Sequence, residues 1–410
     1  MGGIEQISTQ AQTEVLPSSA IANPPQDQHD QPVLVINSSK RVPALDGLRG
    51  IAILLVLVEH SISNLNFVSH PTLRWIVGTT RLAWSGVDLF FVLSGFLIGG
   101  ILLDARDSSN YFKTFYIRRA YRILPIYGVI LFVCWLAYVA GRLGLLSSTW
   151  VGLFAGAMPW WALLTFTQNI AMTFFPTGVG GSLGPTWSLA VEEQFYLTLP
   201  LLVRYTSPRR LMRVVVPALI IGAPILRAFL IPRLSNGEAT AYLLMPTRAD
   251  ALGMGVLAAL LVRNPSSWSW LREHRRWLYG AAGLFLLPLV LISFFATSTA
   301  TFYGTEYSIL ALFYASLLLI AVTGQDRFVK LVFCNRALMS LGLIAYGTYL
   351  MHRLLLHTVH LGLAPIFPSA SAAYSFLTLF LGIGLTLLIA QISWTWFEKP
   401  LVRRGHHYHY

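Results

Sequence analysis

Apolar runs of about 20 residues recur along the whole chain, separated by Arg-rich loops, and this repeat restricts the fold more than any other feature. At about 1.5 Å of rise per residue, a helix of that length crosses the ~30 Å hydrocarbon layer of a bilayer. The spans expected are 47–66, 82–103, 123–141, 187–204, 214–232, 242–262, 277–297, 303–323, 338–361 and 373–397. The fold class expected is therefore all-α: a polytopic transmembrane helical bundle of about ten spans. Composition agrees, with 55% hydrophobic and 11% charged residues, against a charged share of about a quarter in soluble domains. Residues 1–40 are rich in Gln, Ser, Pro and Asn and lack a signal-peptide pattern, so they read as a disordered polar tail. Residues 41–404 form the expected membrane domain, and 405–410 (GHHYHY) a solvated C-terminal tail.

The formal charge of +12 does not mark a nucleic-acid partner, because the basic residues punctuate the ends of apolar runs instead of gathering on one soluble face. They report topology. With ten spans and both termini cytoplasmic, 22 of the 29 Lys and Arg fall in or bordering cytoplasmic segments and four (Arg74, Arg81, Arg142 and Arg233) fall outside. Counting 151–172 as an eleventh span would put Arg204, Arg209, Arg210 and Arg213 outside, against the positive-inside tendency. That segment is left out, and 142–186 is read as an outer-face or re-entrant stretch whose backbone protein must shield. Cys134 and Cys334, each in or beside an apolar stretch, offer neither a disulfide framework nor a CxxC metal site. No metal is predicted.

Ionisable side chains at bilayer depth cost a few kcal/mol or more and mark cavities or partners. Here they include Glu59, His60, Asp88, Glu192, Glu193, Arg248, Asp250, His352 and Arg353. Span directions place many of them in the outer half of the bundle. His60 lies about 20 Å along its helix from Gly47, and Asp88 and Glu192 sit near the outer ends of inward-running spans. Arg248 and Asp250 are expected to pair structurally. Glu59 projects about 100° away from His60 around the helix and is expected to serve helix pairing or an outer cavity, not the same face.

In order along the chain come PALDGLRGIAILLVLVEH, GVDLFFVLSGFLI, FYIRRAYRILPIY, PTWSLAVEEQFYL, YGTYLMH and FEKPLVRR. Together, from about Arg41 to Arg404, they resemble the acyltransferase-3 family of bacterial integral-membrane acyltransferases. Arg49 and His60 stand at that family's R-x10-H spacing. The resemblance implies a multi-pass protein of the bacterial inner membrane, a catalytic His60 with Arg49 as its motif partner, supporting roles for Asp88 and for Glu192 or Glu193, and a functional Arg119-x-x-Arg122 pair. Glu59 departs from the apolar or aromatic residue more usual before the motif histidine. Some members carry a fused extracytoplasmic esterase-like domain; none follows FEKPLVRR here, so the membrane part is expected to act alone or with separate partners.

Moving an acyl group from a thioester to an alcohol needs a base, oxyanion stabilisation and a grip on a polyanionic donor. His60 is the candidate base, with Asp88 or Glu192 to orient it. Arg353, or polar groups of Ser94-Gly95 and Thr186-Trp187-Ser188, are candidates for the oxyanion. Arg49, Arg118, Arg119 and Arg122 are candidates for the phosphates of acetyl-CoA or another acyl-CoA. The same arginines also fit topology or lipid headgroups. Trp187, with Trp160 and Trp161, is placed to stack on a carbohydrate acceptor, a position that also suits interfacial anchors. The function expected is O-acylation of an envelope carbohydrate or similar hydroxyl acceptor, across the membrane. The alternatives are a multi-span transporter, which would favour a repeat symmetry not visible in the sequence, and a non-catalytic component of envelope polysaccharide synthesis. The acceptor, the acyl-chain length, the choice between direct transfer and an acyl-histidine intermediate, and the oligomeric state are not legible.

Overall fold

The structure is a computed structural model that describes residues 42–62, 80, 82–155, 158–174, 181–295, 304–367 and 372–410. The expected N-terminal tail, 1–40, lies outside the described residues, as does the end of the first expected span. Among the described residues the regular structure is helical, with no strand. Ten helices of fifteen residues or more occupy the ten expected segments: α1 (Pro43–Ile62), α2 (Gly86–Asp104), α3 (Tyr111–Arg142), α4 (Thr186–Tyr205), α5 (Val216–Leu230), α6 (Ala249–Arg263), α7 (Arg275–Phe295), α8 (Glu306–Thr323), α9 (Ala345–Leu363) and α10 (Ala372–Ser393). Among the described residues, six helices are long and apolar enough to cross a membrane, seven if the bent pair Gly237–Leu243 and Pro246–Arg263 counts as one. α1, α4 and α9 fall outside that set. They carry Arg49, Glu59 and His60, Glu192 and Glu193, and His352 and Arg353 respectively, and those polar groups lower their hydropathy.

Three boundaries differ from expectation for identifiable reasons. α3 begins at Tyr111 instead of 123, because Lys and Arg are good helix formers and the basic stretch simply extends the apolar helix. The sixth expected span is broken by 72° between Gly237–Leu243 and Pro246–Arg263; Pro246 lacks the N–H that a continuous helix would need there. The ninth is interrupted at Ile344 between the helix Arg336–Leu343 and α9. Among the described residues of 142–186 there is no long helix. The described part folds as Ser148–Ala155, Trp160–Leu164 and Gln168–Phe174, and its backbone is shielded by protein. Gln168 and Asn169 are fully buried, Gln168 donates to the Thr186 carbonyl at 2.9 Å, and Gln194 donates to the carbonyl of Phe166 at 3.0 Å. Phe166 itself has φ of 52°, a left-handed conformation held by that contact.

Exposed Phe132, Trp135 and Leu136 on α3, Ile221, Ile225 and Phe229 on α5, and Phe380 and Leu388 on α10 give the bundle the apolar outer surface suited to lipid. Inside, small residues let helices touch backbone to backbone. Gly95 of α2 packs on the Leu252 carbonyl, and Gly255 of α6 on the Val92 carbonyl. A Cβ at Gly255 has no space, so Gly255→Ala is expected to destabilise the protein by about 1–3 kcal/mol, the usual cost of overpacking. Thermal unfolding of the detergent-solubilised protein measures it; an unchanged midpoint would show that α2 and α6 part easily.

Two buried ion pairs tie the same helices, and they correct the expected pairing. Arg248 bonds to Asp88 of α2, while Asp250 accepts from Arg227 of α5 at 2.7 Å and from Ser308 of α8 at 2.7 Å. Residues two apart on a helix project about 200° from each other, so Arg248 and Asp250 face different neighbours. The C-terminal residues are exposed from His406 to His409 and their backbone is held by α3. Arg118 donates to the Tyr408 carbonyl at 2.8 Å and lies 5.0 Å from the centroid of the Tyr410 ring, and Thr114 donates to the His409 carbonyl at 2.9 Å.

Candidate active site

The ionisable groups gather in two clusters strung along α1. The outer one is built on His60 at the end of α1 and His352 on α9, whose ring centroids are 4.8 Å apart in an edge-on arrangement. His60 Nδ1 lies 3.0 Å from the Val56 carbonyl, and His352 Nδ1 lies 2.5 Å from the Tyr349 carbonyl. A carbonyl only accepts, so in each neutral ring Nδ1 carries the proton and Nε2 holds the lone pair. His60 therefore presents its basic nitrogen away from its own helix. His352 is fully buried, and its Nε2 has no hydrogen-bond partner among the described residues. Arg353, next along α9, interacts electrostatically with both histidines.

Beside His60 is a cavity of about 120 Å³ lined by Val56, Glu59, His60, Trp84, Val87, Pro185, Trp187, Tyr242 and Tyr349. Trp187, expected near the acceptor, forms one wall, with its ring centroid 4.5 Å from that of Tyr242 and 6.0 Å from that of Phe91. Tyr349 is fixed by two contacts: it donates to the Pro185 carbonyl at 2.6 Å and meets the Ser188 hydroxyl at 2.5 Å. Glu59 and His60 both border this cavity, with Val56 one turn before them on α1, so Glu59 takes the outer-cavity place.

The inner cluster gathers Arg49 of α1, Arg119 and Arg122 of α3, and Glu192 and Tyr196 of α4. Arg49 pairs with Asp46 at 3.1 Å and lies within electrostatic reach of Arg119, as Arg122 does of both. Arg119 sits over the Tyr196 ring at 5.6 Å. Tyr196 donates to Glu192 Oε2 at 3.3 Å and meets the Ser94 hydroxyl at 2.7 Å; Glu192 in turn interacts with Arg119 and Arg122. Glu193 belongs to the same stretch of α4, and its Oε1 has no hydrogen-bond partner among the described residues.

Some expected neighbours are thus apart. Asp88 bonds to Arg248 and Glu192 to Tyr196, whereas the histidine edge-on to His60 is His352. The reason for Glu192 is depth: five residues past Trp187 carries it about 8 Å down α4, to the level of the arginines. Arg118 faces the C-terminal segment. Trp84, Tyr242, Tyr349 and Tyr196 escaped the sequence reading because aromatics in apolar helices look like core; the one available signal was that Tyr349 shares YGTYLMH with His352. Among the described residues no group of three or more His, Cys, Asp or Glu is placed to hold a metal ion.

A helical bundle with several membrane-length apolar helices, a histidine cavity toward one end of α1 and an arginine cluster toward the other defines a multi-pass membrane protein. The family is settled by comparison: a family model described as "Acyltransferase domain" matches residues 42–394, and the chain belongs to that acyltransferase-3 family. It is 27% identical over 379 residues to the peptidoglycan O-acetyltransferase OatA of Listeria monocytogenes, covering 90% of this chain and 57% of the relative. It is 26% identical over 382 residues to a putative O-acetyltransferase of Staphylococcus aureus, covering 89% and 58%. With the putative peptidoglycan O-acetyltransferase YrhL of Bacillus subtilis the figures are 27% over 374 residues, 89% and 55%. The chain therefore spans little more than half the length of these relatives. No solved structure matches it.

Proposed function

We propose that the chain transfers an acetyl group from acetyl-CoA to a hydroxyl of an envelope carbohydrate, with peptidoglycan the first acceptor to test, across the bacterial cytoplasmic membrane. The observation that carries this reading is the pair of clusters on one helix. Arg49 and His60 are eleven residues apart, about 16 Å along α1, a separation that an extended pantetheine arm spans. Arg49, Arg119 and Arg122 hold the donor's phosphates from the cytoplasmic side, and the thioester reaches His60.

His60 Nε2 takes the proton of the acceptor hydroxyl as its oxygen attacks the thioester carbonyl carbon. The tetrahedral oxyanion collapses, the C–S bond breaks, an ester forms, and the thiolate leaves and takes up the proton that His60 received. Arg353, within electrostatic reach of His60, supplies the positive charge for the oxyanion. Asp88, held by Arg248, acts by fixing α2 beside the cavity. Glu192, with Glu193 beside it on α4, sets the inner arginines. The names of the O-acetyltransferase relatives support the acyl group and the acceptor class.

Mass spectrometry of muropeptides and other envelope carbohydrates from cells carrying the gene or an empty vector tests this. Gene-dependent ester-linked acetyl groups are expected. Their absence from every carbohydrate fraction, with the protein present in the membrane, would favour the transporter reading instead.

A further inference from the structure

We propose that the groove between α4 and α5 binds an anionic glycerophospholipid, with one acyl chain lying in the groove and the headgroup phosphate meeting Arg209, Arg210 and Arg213. The groove shares no lining residue with the histidine cavity, and its ligand is independent of acyl transfer.

Small residues on α5 open the groove. Ala218 and Gly222, one turn apart, both line it and are exposed, and a Cβ at Gly222 would have no atom within 4 Å. Leu201 and Tyr205 of α4 and Phe229 of α5 flank it, all exposed, and Pro246 stands at the Phe229 end, where Arg227 donates to the Thr247 carbonyl. Ala218 to Phe229 is about 16 Å of helix, half of the ~30 Å hydrocarbon layer. That is the depth of one leaflet, so the groove suits the tail of a lipid entering from one side of the bilayer.

Charge says which side. Tyr205 ends α4, and Ser207 caps the turn that follows by accepting from the Arg210 N–H at 3.3 Å. Arg209, Arg210 and Arg213 stand on the turns that lead into α5, and all three are exposed. None of them forms an ion pair among the described residues. Arg204, by contrast, is engaged: it donates to the Arg106 carbonyl and lies 5.8 Å from the centroid of the Tyr111 ring. Guanidinium groups without carboxylates at the mouth of an apolar groove complement a phosphate carried on an acyl chain. Moving a tail from bilayer to groove gains only packing, because lipid tails are as apolar as Leu, so the headgroup selects the lipid. Each arginine near the surface is worth about fivefold in affinity for an anionic one. Topology alone accounts for arginines at a helix end, but attraction of that kind does not depend on the groove.

The test titrates the full chain in mild detergent with dioleoyl-phosphatidylglycerol or dioleoyl-phosphatidylcholine and counts bound lipid by native mass spectrometry. The wild type is expected to hold one phosphatidylglycerol with at least about 10-fold preference over phosphatidylcholine. Arg209→Gln/Arg210→Gln/Arg213→Gln is expected to bring the two lipids near parity. Arg276→Gln/Arg327→Gln/Lys330→Gln, which removes as much charge where α7 begins and beyond the end of α8, is expected to keep most of the preference. Gly222→Phe and Ala218→Phe fill the groove and are each expected to lose the bound phosphatidylglycerol; two positions are used so that one variant that fails to fold, as thermal unfolding shows, does not end the test. No preference in the wild type, an equal loss in both triple variants, or unchanged binding in a folded groove variant overturns the assignment. A dimer of the chain that Gly222→Phe dissociates overturns it too, and gives the groove to a second copy.

Discussion

Replacing His60 by alanine is expected to lower acyl transfer by about two to four orders of magnitude, the range typical of losing a positioned general base. The fold should survive, because His60 is only half-buried and its Nδ1 contact is to its own helix. His60→Gln is the sharper comparison: it keeps a polar side chain of similar size but cannot accept a proton at neutral pH. If His60→Gln protein reaches the membrane in normal amount and acetylates envelope carbohydrate at the wild-type rate, His60 is not the base. His352→Gln separates the two histidines, since it removes a ring that touches His60 and leaves the cavity lining unchanged. A drop in rate with an unchanged donor KM is expected there.

Arg248→Met is expected to cost about 3–5 kcal/mol, because it strands the Asp88 carboxylate in a buried site. Arg248 is fully buried and Asp88 is 1% exposed, so neither charge can turn to water. Asp88→Asn is expected to destabilise in the same direction. The double replacement Asp88→Leu/Arg248→Met removes both charges and is expected to recover most of the loss, as buried pairs replaced by apolar residues commonly do. Thermal unfolding in detergent measures stability, and envelope acetylation is followed in parallel. Recovery of both stability and acetylation in the double variant identifies Asp88 as a positioning residue. A stable double variant without activity would instead assign the Asp88 carboxylate to the chemistry.

The helical class and the placement of the long helices were legible because each depends on a local sum, the hydropathy of about 20 consecutive residues. The interruption at Pro246 was marked by the proline itself. Pairings were not legible, since they depend on which helix faces which. Asp250 reads as the natural mate of Arg248 until α5 and α2 bring Arg227 and Asp88 to opposite sides of α6. The carboxylates Asp88 and Glu192 likewise read as partners of His60 because span direction alone resolves depth only to about a turn of helix. Arg49, Arg119 and Arg122 were singled out by the family resemblance; that Tyr196 meets Ser94 and Glu192 beside them was not legible. Aromatic cavity walls such as Tyr242 and Trp84 carry no mark that distinguishes them from core.

The close seating of Gly95 and Gly255, together with the Arg248–Asp88 and Arg227–Asp250–Ser308 bonds, has a mechanical consequence. α2, α5, α6 and α8 are joined at several points by contacts that cannot lengthen without leaving a buried charge unmatched or a backbone unsupported. They make up a stiff frame. Movement within the bundle is therefore expected to fall on helices outside this frame.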